Sequence, residues 1–200
     1  KIHRGANEIG GNCVEVQADS GERIFLDFGM PLTLPEEGEY SSREIRKKSW
    51  TDLVEKKYLP NVKELYAGDS SNILGIFISH AHQDHYGFVN FVQDKIPFYL
   101  GEYAKKLIDI TSKFTGAKVK IEKFTYVQDR VAIKLGAFEI IPYSVDHSAF
   151  DAYAFLIKVD NKSFFYSGDL RAHGRKTWAF PNLLRDLPKG IDAVMLEMTM

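Results

Sequence analysis

The stretch that decides the fold is Ser79-His80-Ala81-His82-Gln83-Asp84-His85. It ends the run Ile73-Leu74-Gly75-Ile76-Phe77-Ile78-Ser79, whose nearly continuous apolar character predicts a strand buried on both faces. Imidazole and carboxylate groups bind divalent transition metals, and donors in a loop at a strand end can face one point. Alternate spacing puts His80 and His82 on one side, and Asp84 and His85 continue around the bend. The stretch therefore predicts a metal site, and the alternative is a polar surface loop.

The composition is that of one globular domain. The chain has 200 residues, of which 44% are hydrophobic and 26% are charged, and its formal net charge is −1. A domain of this size buries about 70% of the surface that its unfolded chain exposes. The composition excludes a disordered tail, a coiled coil and a fibrous protein. Near-neutral charge excludes capture of nucleic acid by the surface as a whole, although a local basic patch stays possible.

The sequence favours a cytoplasmic location. No apolar run approaches the ~20 residues of a membrane helix. The start, Lys1-Ile2-His3-Arg4-Gly5, has no Met and no apolar signal region, so we expect no secretion and no membrane span. The single cysteine, Cys13, excludes an intramolecular disulfide framework and fits a reducing compartment. Cys13 lies in an expected strand, so we predict that it is packed rather than catalytic.

The order of elements predicts two sheets with helices outside them, formed by residues 1–200 as one domain. Gly11–Val16 and Arg23–Gly29 are expected to pair as a hairpin. Residues 33–72 are interpreted as an insertion or lid over the core, with a charged helix over Arg43–Lys57. Further helices are expected at Tyr86–Val92 and Glu102–Phe114. Further strands are expected at Pro97–Leu100, Lys118–Phe124, Arg130–Lys134, Phe138–Tyr143, Tyr153–Val159, Ser163–Tyr166 and Ala193–Leu196.

The histidine loop resembles the His-x-His-x-Asp-His motif of the metallo-β-lactamase superfamily, metal-dependent hydrolases with an αββα sandwich fold. Residues matching the other motifs of the superfamily follow in the same order: Asp27 in Leu26-Asp27-Phe28-Gly29, His147 in Asp146-His147-Ser148 and Asp169 in Gly168-Asp169-Leu170. The resemblance implies that His80, His82 and His147 bind one metal. It further implies that Asp84 and His85 bind a second metal and that Asp169 bridges the two. Asp27 is then the residue that braces the metal loop.

The nitrogen-rich ligand set favours zinc, although imidazole and carboxylate groups also suit manganese or iron. Such metals lower the pKa of a bound water toward ~7 and so activate it for hydrolysis. In the superfamily a late histidine completes the second site, and no histidine follows His173 in this sequence. We therefore expect a fragment with unequal sites, in which the three-histidine site fills first.

Within the superfamily the chain is most similar to the β-CASP nucleases of the ribonuclease J-like branch. The similarity rests on Glu8-Ile9-Gly10-Gly11-Asn12-Cys13, Ser79-His80-Ala81-His82 and Leu196-Glu197-Met198-Thr199. It implies RNA or another phosphodiester as substrate, with Asp84, Asp27 and Glu197 as candidate catalytic residues. The chain departs from the branch in two places. Ala149-Phe150-Asp151-Ala152 replaces the usual Pro-Gly-Ser type of turn, and the chain ends at Met200 without a β-CASP domain.

Basic residues follow Asp169 closely in the sequence. Arg171, Arg175 and Lys176 are candidate substrate-binding residues, since guanidinium and ammonium groups bind phosphate oxygens, and the alternative is a solvated turn. Two other functions stay open. One is a hydrolase of small esters, thioesters or lactones with the same metals, and the other is a non-catalytic binding module on a decayed hydrolase fold. Downstream sequence would separate the first from a nuclease, and a metal assay would identify the second.

Overall fold

The computed structural model describes residues 1–6, 8–32 and 42–197, which form two sheets with helices outside them. The strands are β1 (Ile2–Arg4), β2 (Cys13–Gln17), β3 (Arg23–Leu26), β4 (Ile73–Phe77), β5 (Phe98–Leu100), β6 (Phe124–Tyr126), β7 (Ile133–Leu135), β8 (Phe138–Val145), β9 (Ala152–Val159), β10 (Lys162–Tyr166) and β11 (Ala193–Met195). The α-helices are α1 (Ser42–Ile45), α2 (Trp50–Glu55), α3 (Gln83–Tyr86), α4 (Glu102–Thr115) and α5 (Ala179–Asp186). Two 3₁₀ helices are Lys63–Leu65 and Val89–Phe91.

The two sheets are both mixed. The first has the order β1-β2-β3-β4-β5-β6, in which β1, β2 and β3 pair antiparallel and β3 to β6 pair parallel. The second has the order β11-β10-β9-β8-β7 and is antiparallel except for the pair β10 and β11. Parallel neighbours end at the same edge of their sheet, and this edge carries the histidine loop after β4.

Three hydrophobic clusters define four layers. Between the sheets, Phe77 of β4 stacks on Tyr99 with ring centroids 4.5 Å apart and meets the edge of Phe155 from β9 at 5.6 Å. Leu53 of α2 packs in the cluster on the outer face of the first sheet, and Leu183 of α5 packs in the cluster outside the second. Full burial of such side chains contributes about 1.5–3 kcal/mol each. The αββα sandwich predicted from the sequence is confirmed.

The expected helix over residues 86–92 is wrong in its bounds. The chain forms the single turn α3 and then the 3₁₀ helix Val89–Phe91. Carbonyls and amides that a longer helix would pair internally bond instead to the segment after β3. Phe28 N donates to His85 O at 2.8 Å, and Phe88 N donates to Phe28 O at 3.1 Å. Tertiary hydrogen bonds therefore override the local helical pattern here.

The charged helix expected over Arg43–Lys57 is two short helices, α1 and α2. Ser49 caps the second, since its hydroxyl accepts a hydrogen bond from Asp52 N at 3.1 Å. The described part of the expected 33–72 insertion contributes the fully buried Ile45 and Leu53 to the outer core cluster. Residues 33–41 of that insertion lie outside the described residues.

Smaller differences concern strands and ends. The strand expected from residue 118 begins only at Phe124, because Asn90 bonds to Lys118 O and Lys120 N and occupies the backbone there. Strand β1 and helix α5 are additional to the expected elements.

Cys13 is buried in the core, as predicted. Among helices of the described ranges, including the 14-residue α4, none has the length and apolar character needed to cross a membrane.

Candidate metal centre

Loops that follow strands of both sheets place Asp27 and the predicted metal ligands at one edge of the sandwich. In the first sheet, Asp27 follows β3 and His80 follows β4, and these strands run parallel. In the second sheet, His147 follows β8 and Asp169 follows β10. Both of those strands run antiparallel to β9, so their carboxyl ends share one edge. Tyr153 N at the start of β9 donates to Ser79 O at 2.9 Å, which ties the two edges together.

Three histidine rings converge at this edge. His80 Nε2 lies 3.0 Å from His82 Nδ1, and His147 Nε2 lies 3.1 Å from the same atom. Asp169 Oδ2 lies 3.7 Å from His80 Nε2 and 3.4 Å from His147 Nε2. The ligating atoms of these four side chains all lie within 4.8 Å of one another.

The spacing of the three nitrogens fits a shared cation. A ring nitrogen carries either one proton or one lone pair in the ring plane. His82 Nδ1 therefore cannot form good hydrogen bonds to both of its neighbours, whereas a cation accepts all three lone pairs. Tetrahedral ligands at 2.0–2.1 Å from zinc are about 3.3–3.4 Å apart. The observed separations are close to this edge length, so His80, His82 and His147 suit a metal of this size.

A second group lies on the other side of Asp169. His85 Nε2 is 3.1 Å from Asp169 Oδ1 and 3.6 Å from Asp84 Oδ2. Asp169 thus turns Oδ2 toward the three histidines and Oδ1 toward Asp84 and His85. Asp169 could therefore contribute one oxygen to each group if both groups bound a cation. Asp84, His85 and Asp169 border a cleft of about 350 Å³.

Asp27 holds the loop from below. It is fully buried, and its Oδ1 accepts a hydrogen bond from Ser79 N at 2.7 Å. Its Oδ2 accepts from Ser79 Oγ at 2.8 Å, from Tyr166 OH at 2.6 Å and from His85 Nδ1 at 2.7 Å. In the neutral ring, a proton held on His85 Nδ1 leaves the lone pair of Nε2 facing Asp84 and Asp169, where a bound cation would take the place of the second proton of the charged ring. Carboxylates commonly orient metal-binding histidines in this way.

Ser79 orients a second ring. Its hydroxyl donates to Asp27, so its oxygen is free to accept, and His80 Nδ1 lies 3.0 Å away. A proton on His80 Nδ1 directs the lone pair of Nε2 toward His82 and His147. Sequence reasoning identified the Ser-His-Ala-His segment but missed this role of the serine.

The three histidines that face one point are held neutral. Burial lowers the pKa of His80 far below its usual 6.5, and the neighbouring histidines lower it further. Burial also lowers the pKa values of His82 and His147. Neutral imidazole is the form that binds metals.

Asp169 and His85 of the second group stabilise each other in their charged forms. Burial alone would raise the pKa of Asp169, but the hydrogen bond and charge of His85 outweigh it and lower that pKa below 3.8. Burial alone would lower the pKa of His85, but the charges of Asp27 and Asp169 outweigh it and raise that pKa to about 10. The carboxylates therefore create a field that favours positive charge at this position.

Two glycines allow the turns to approach the loop. A Cβ at Gly29 would lie 1.6 Å from Asp84 O. Gly168 has φ +52°, and a Cβ there would lie 2.8 Å from Ser79 Cβ. No other residue fits these positions without displacing the metal loop, so the glycines help to set its distance from Asp169.

Two of the three predicted substrate-binding residues, Arg171 and Lys176, lie beside the His147 loop. Arg171 Nε donates to Asp146 Oδ2 at 3.1 Å, and its NH2 group donates to His147 O at 3.2 Å. Lys176 Nζ donates to Val145 O at 3.1 Å. Arg175 is exposed. Arg171 and Lys176 therefore support the loop that carries His147, a role that sequence reasoning missed.

The structure also places Glu197 and Asn12 near the second group. Glu197 lines the cleft together with Asp84 and Asp169, and its backbone N donates to Ser167 Oγ at 3.0 Å. Asn12 Nδ2 lies 3.4 Å from His85 Nε2. Asn12 belongs to the Glu8–Cys13 segment that resembles the nuclease branch. Residues 198–200, including Thr199 of the closing motif, lie outside the described residues.

An αββα sandwich with two His/Asp groups at one edge defines a metal-binding hydrolase fold. A family model described as "Beta-lactamase superfamily domain" matches residues 50–200. The chain belongs to this family. The family and the clustered side chains support a metal-dependent hydrolase that uses a divalent metal.

Known proteins extend this assignment. Ribonuclease J of Helicobacter pylori is 29% identical over 169 residues, which are 84% of this chain and 22% of that protein. A protein of unknown function from Enterococcus faecalis V583 matches with a TM-score of 0.80 and 22% identity over 97% of this chain and 48% of its own. The metallo-β-lactamase fold protein YhfI from Bacillus subtilis matches with a TM-score of 0.50 and 18% identity over 83% of this chain and 57% of its own. The two structures show the fold alone. The chain spans less than a quarter of the length of the Helicobacter relative.

Proposed function

We propose that the protein is a metal-dependent phosphodiesterase that hydrolyses RNA. The observation that carries the proposal is the position of Asp169, which turns one carboxylate oxygen toward each of two ligand groups beside an open cleft. Similarity to ribonuclease J over 84% of the chain supports RNA as the substrate. The proposed ligands are those predicted from the sequence, namely His80, His82, Asp84, His85, His147 and Asp169.

Zinc is the proposed metal, because the first group supplies three imidazole nitrogens and one carboxylate. A bound divalent metal supplies Lewis acidity toward a phosphoryl oxygen and lowers the pKa of water. The described residues give the first group four side chains and the second group three. We therefore propose unequal affinities, with the first group filled at lower metal concentration. The single buried thiol of Cys13 supports the proposed cytoplasmic location.

The side chains of this site have distinct proposed roles. Asp27 holds the proton of His85 Nδ1 and fixes the ring. Asp84 borders the cleft, where its carboxylate is proposed to accept a proton from an attacking water. Glu197 lines the same cleft and is proposed to help position the substrate or that water. Arg171 is proposed to act on phosphate binding indirectly, by keeping the His147 loop in place.

The experiment is hydrolysis of a 5′-labelled single-stranded RNA by the full-length protein with added zinc or manganese. We expect His82→Ala to abolish cleavage and to lower metal content. The matched control is His173→Ala, since His173 is an exposed histidine outside both groups and its variant should cleave as the wild type does. DNA of the same sequence serves as the comparison substrate.

Three outcomes would contradict the proposal in different ways. Cleavage of thioesters or lactones without cleavage of RNA would identify a small-molecule hydrolase. Bound metal without any hydrolysis would identify a binding module. Unchanged cleavage by His82→Ala would remove the histidine group from the reaction.

A further inference from the structure

A pair of exposed aromatic side chains lies at the edge of the sandwich that carries the candidate metal centre, and neither side chain belongs to the two ligand groups. Tyr103 and Phe150 are 50% and 58% exposed, and their rings meet edge to face with centroids 5.3 Å apart. Tyr103 lies in the first turn of α4, which follows β5, the parallel neighbour of the strand that precedes the histidine loop. Phe150 lies three residues after His147 in the loop between β8 and β9. The pair therefore stands at the same edge as the proposed ligands.

The fold holds the two rings together. Asp151 Oδ2 accepts hydrogen bonds from Tyr103 N at 2.8 Å and from Ala104 N at 3.2 Å, so the Phe150 loop caps the start of α4. The same loop is anchored at its other end by Arg171 through Asp146. Two aromatic rings from distant parts of the chain are thus fixed on one surface rather than left on mobile side chains.

Lysines lie against the faces of these rings. Lys106 Nζ is 4.8 Å from the ring centroid of Tyr103, and Lys176 Nζ is 5.5 Å from that of Phe150. The surface continues to the edge strand β6, where Lys105 Nζ lies 5.0 Å from the ring of the partly exposed Phe124. Residues 102–126 contain six lysines and three acidic residues, in a chain whose net charge is −1. Lys105, Lys106 and Lys176 are the lysines placed against these rings, and Lys105 and Lys106 also pair with Asp109 and Glu102 at 2.7 Å.

Aromatic rings combined with lysines are the chemistry that binds single-stranded nucleic acid, because bases stack on the rings and phosphates pair with the ammonium groups. A duplex hides its base faces and cannot use such rings. We propose that Tyr103 and Phe150 form a stacking site for unpaired bases of an RNA strand that enters the metal centre. The inference rests on the proposed function, and it adds a strand-selective binding site that the ligand groups do not supply.

The experiment measures equilibrium binding of a fluorescein-labelled ten-nucleotide oligoadenylate RNA to the full-length protein by anisotropy, with a chelator present so that cleavage does not interfere. The double variant Tyr103→Ala/Phe150→Ala should bind at least about fivefold more weakly. Tyr103→Phe/Phe150→Tyr, which keeps both rings, should bind within about twofold of wild type. Lys106→Gln should lower the salt dependence of binding, because a phosphate contact releases counterions.

The matched control is Phe114→Ala. Phe114 is an aromatic residue on the same helix and is 88% exposed, but it lies eleven residues after Tyr103, about 16 Å along the helix axis. Its removal should leave RNA affinity unchanged. Circular dichroism checks that each variant is folded.

Binding and cleavage separate the two proposals. Unchanged affinity of the double alanine variant would overturn the stacking site, even where the wild type cleaves RNA, and would assign the pair to a protein partner or to none. The stacking site would also be overturned if the wild type bound a ten-base-pair duplex as tightly as the oligoadenylate and the double alanine variant lost both affinities to the same degree. Loss of oligoadenylate binding in a protein that cleaves no RNA would support the stacking site while contradicting the proposed hydrolysis.

Discussion

Replacement of Asp27 by Asn isolates the charge of the buried carboxylate beneath the metal loop. Asp27 has φ +58°, a conformation that Asn also adopts with little strain. Its Oδ1 accepts one hydrogen bond from Ser79 N, and its Oδ2 accepts three, from Ser79 Oγ, Tyr166 OH and His85 Nδ1. An amide has one oxygen, so it cannot replace both acceptors. The amide orientation that loses fewer hydrogen bonds puts its oxygen at the position of Oδ2. The bond from Ser79 N to Oδ1 is then lost, and Ser79 N has no acceptor.

The expected magnitude follows from these bonds. A buried N–H without an acceptor costs about 1–3 kcal/mol. Conversion of a hydrogen bond from a charged to a neutral acceptor costs about 1 kcal/mol more. We therefore expect Asp27→Asn to lower the free energy of unfolding by about 2–4 kcal/mol. A neutral amide also polarises His85 less than a carboxylate does, and loss of such a partner typically lowers metal affinity about 10- to 100-fold.

The assay is titration of chelator-treated protein with zinc by calorimetry, combined with urea denaturation. Tyr166→Phe is the matched control, because it removes one donor from the same Oδ2 atom and leaves the bond to His85 in place. We expect this variant to lose about 1 kcal/mol of stability and to bind zinc as the wild type does. Wild-type zinc affinity in Asp27→Asn, or equal loss of affinity in both variants, would refute the reasoning.

Three further predictions follow from the same site. With a chelator present, stability should fall below pH 6.5 by up to about 1.4 kcal/mol per pH unit through His80, because burial lowers its pKa and only the unfolded chain takes up the proton. Urea denaturation should show this slope flattened in His80→Asn, and an unchanged slope in that variant would contradict the assignment. Gly29→Ala should weaken zinc binding more than Gly21→Ala does. A Cβ at Gly29 would collide with the metal loop, whereas a Cβ at Gly21 would have no atom within 4 Å. Equal zinc affinities of the two variants by calorimetry would contradict this prediction. Arg171→Met should speed hydrogen–deuterium exchange of the backbone amides in the loop between β8 and β9, measured by mass spectrometry. Unchanged exchange would count against the anchoring role of Arg171.

Much of the fold was predictable because its deciding features are local. The apolar strand before Ser79 and the spacing of His80 and His82 lie within one short segment, and a resemblance in order along the chain linked them to His147 and Asp169. The layers of the sandwich followed from this resemblance and from the number of strands.

The remaining features depend on contacts between residues distant in sequence. Tyr166 bonds to Asp27 across 139 positions, and no local pattern indicates that bond. The helix expected at residues 86–92 failed because Phe28, far earlier in the chain, takes its hydrogen bonds. Asp146 bonds to Arg171, and its position next to the predicted ligand His147 is the sequence signal that could have pointed to a supporting role for Asp146.

The most direct test is anomalous diffraction at the zinc edge from crystals grown with zinc. We predict a strong peak about 2.0–2.1 Å from the ring nitrogens of His80, His82 and His147. We predict a second, lower peak between Asp84 and His85, with Asp169 beside both positions. A peak that excludes His147, or zinc found only away from these residues, would contradict the central claim that this edge of the sandwich is a metal centre.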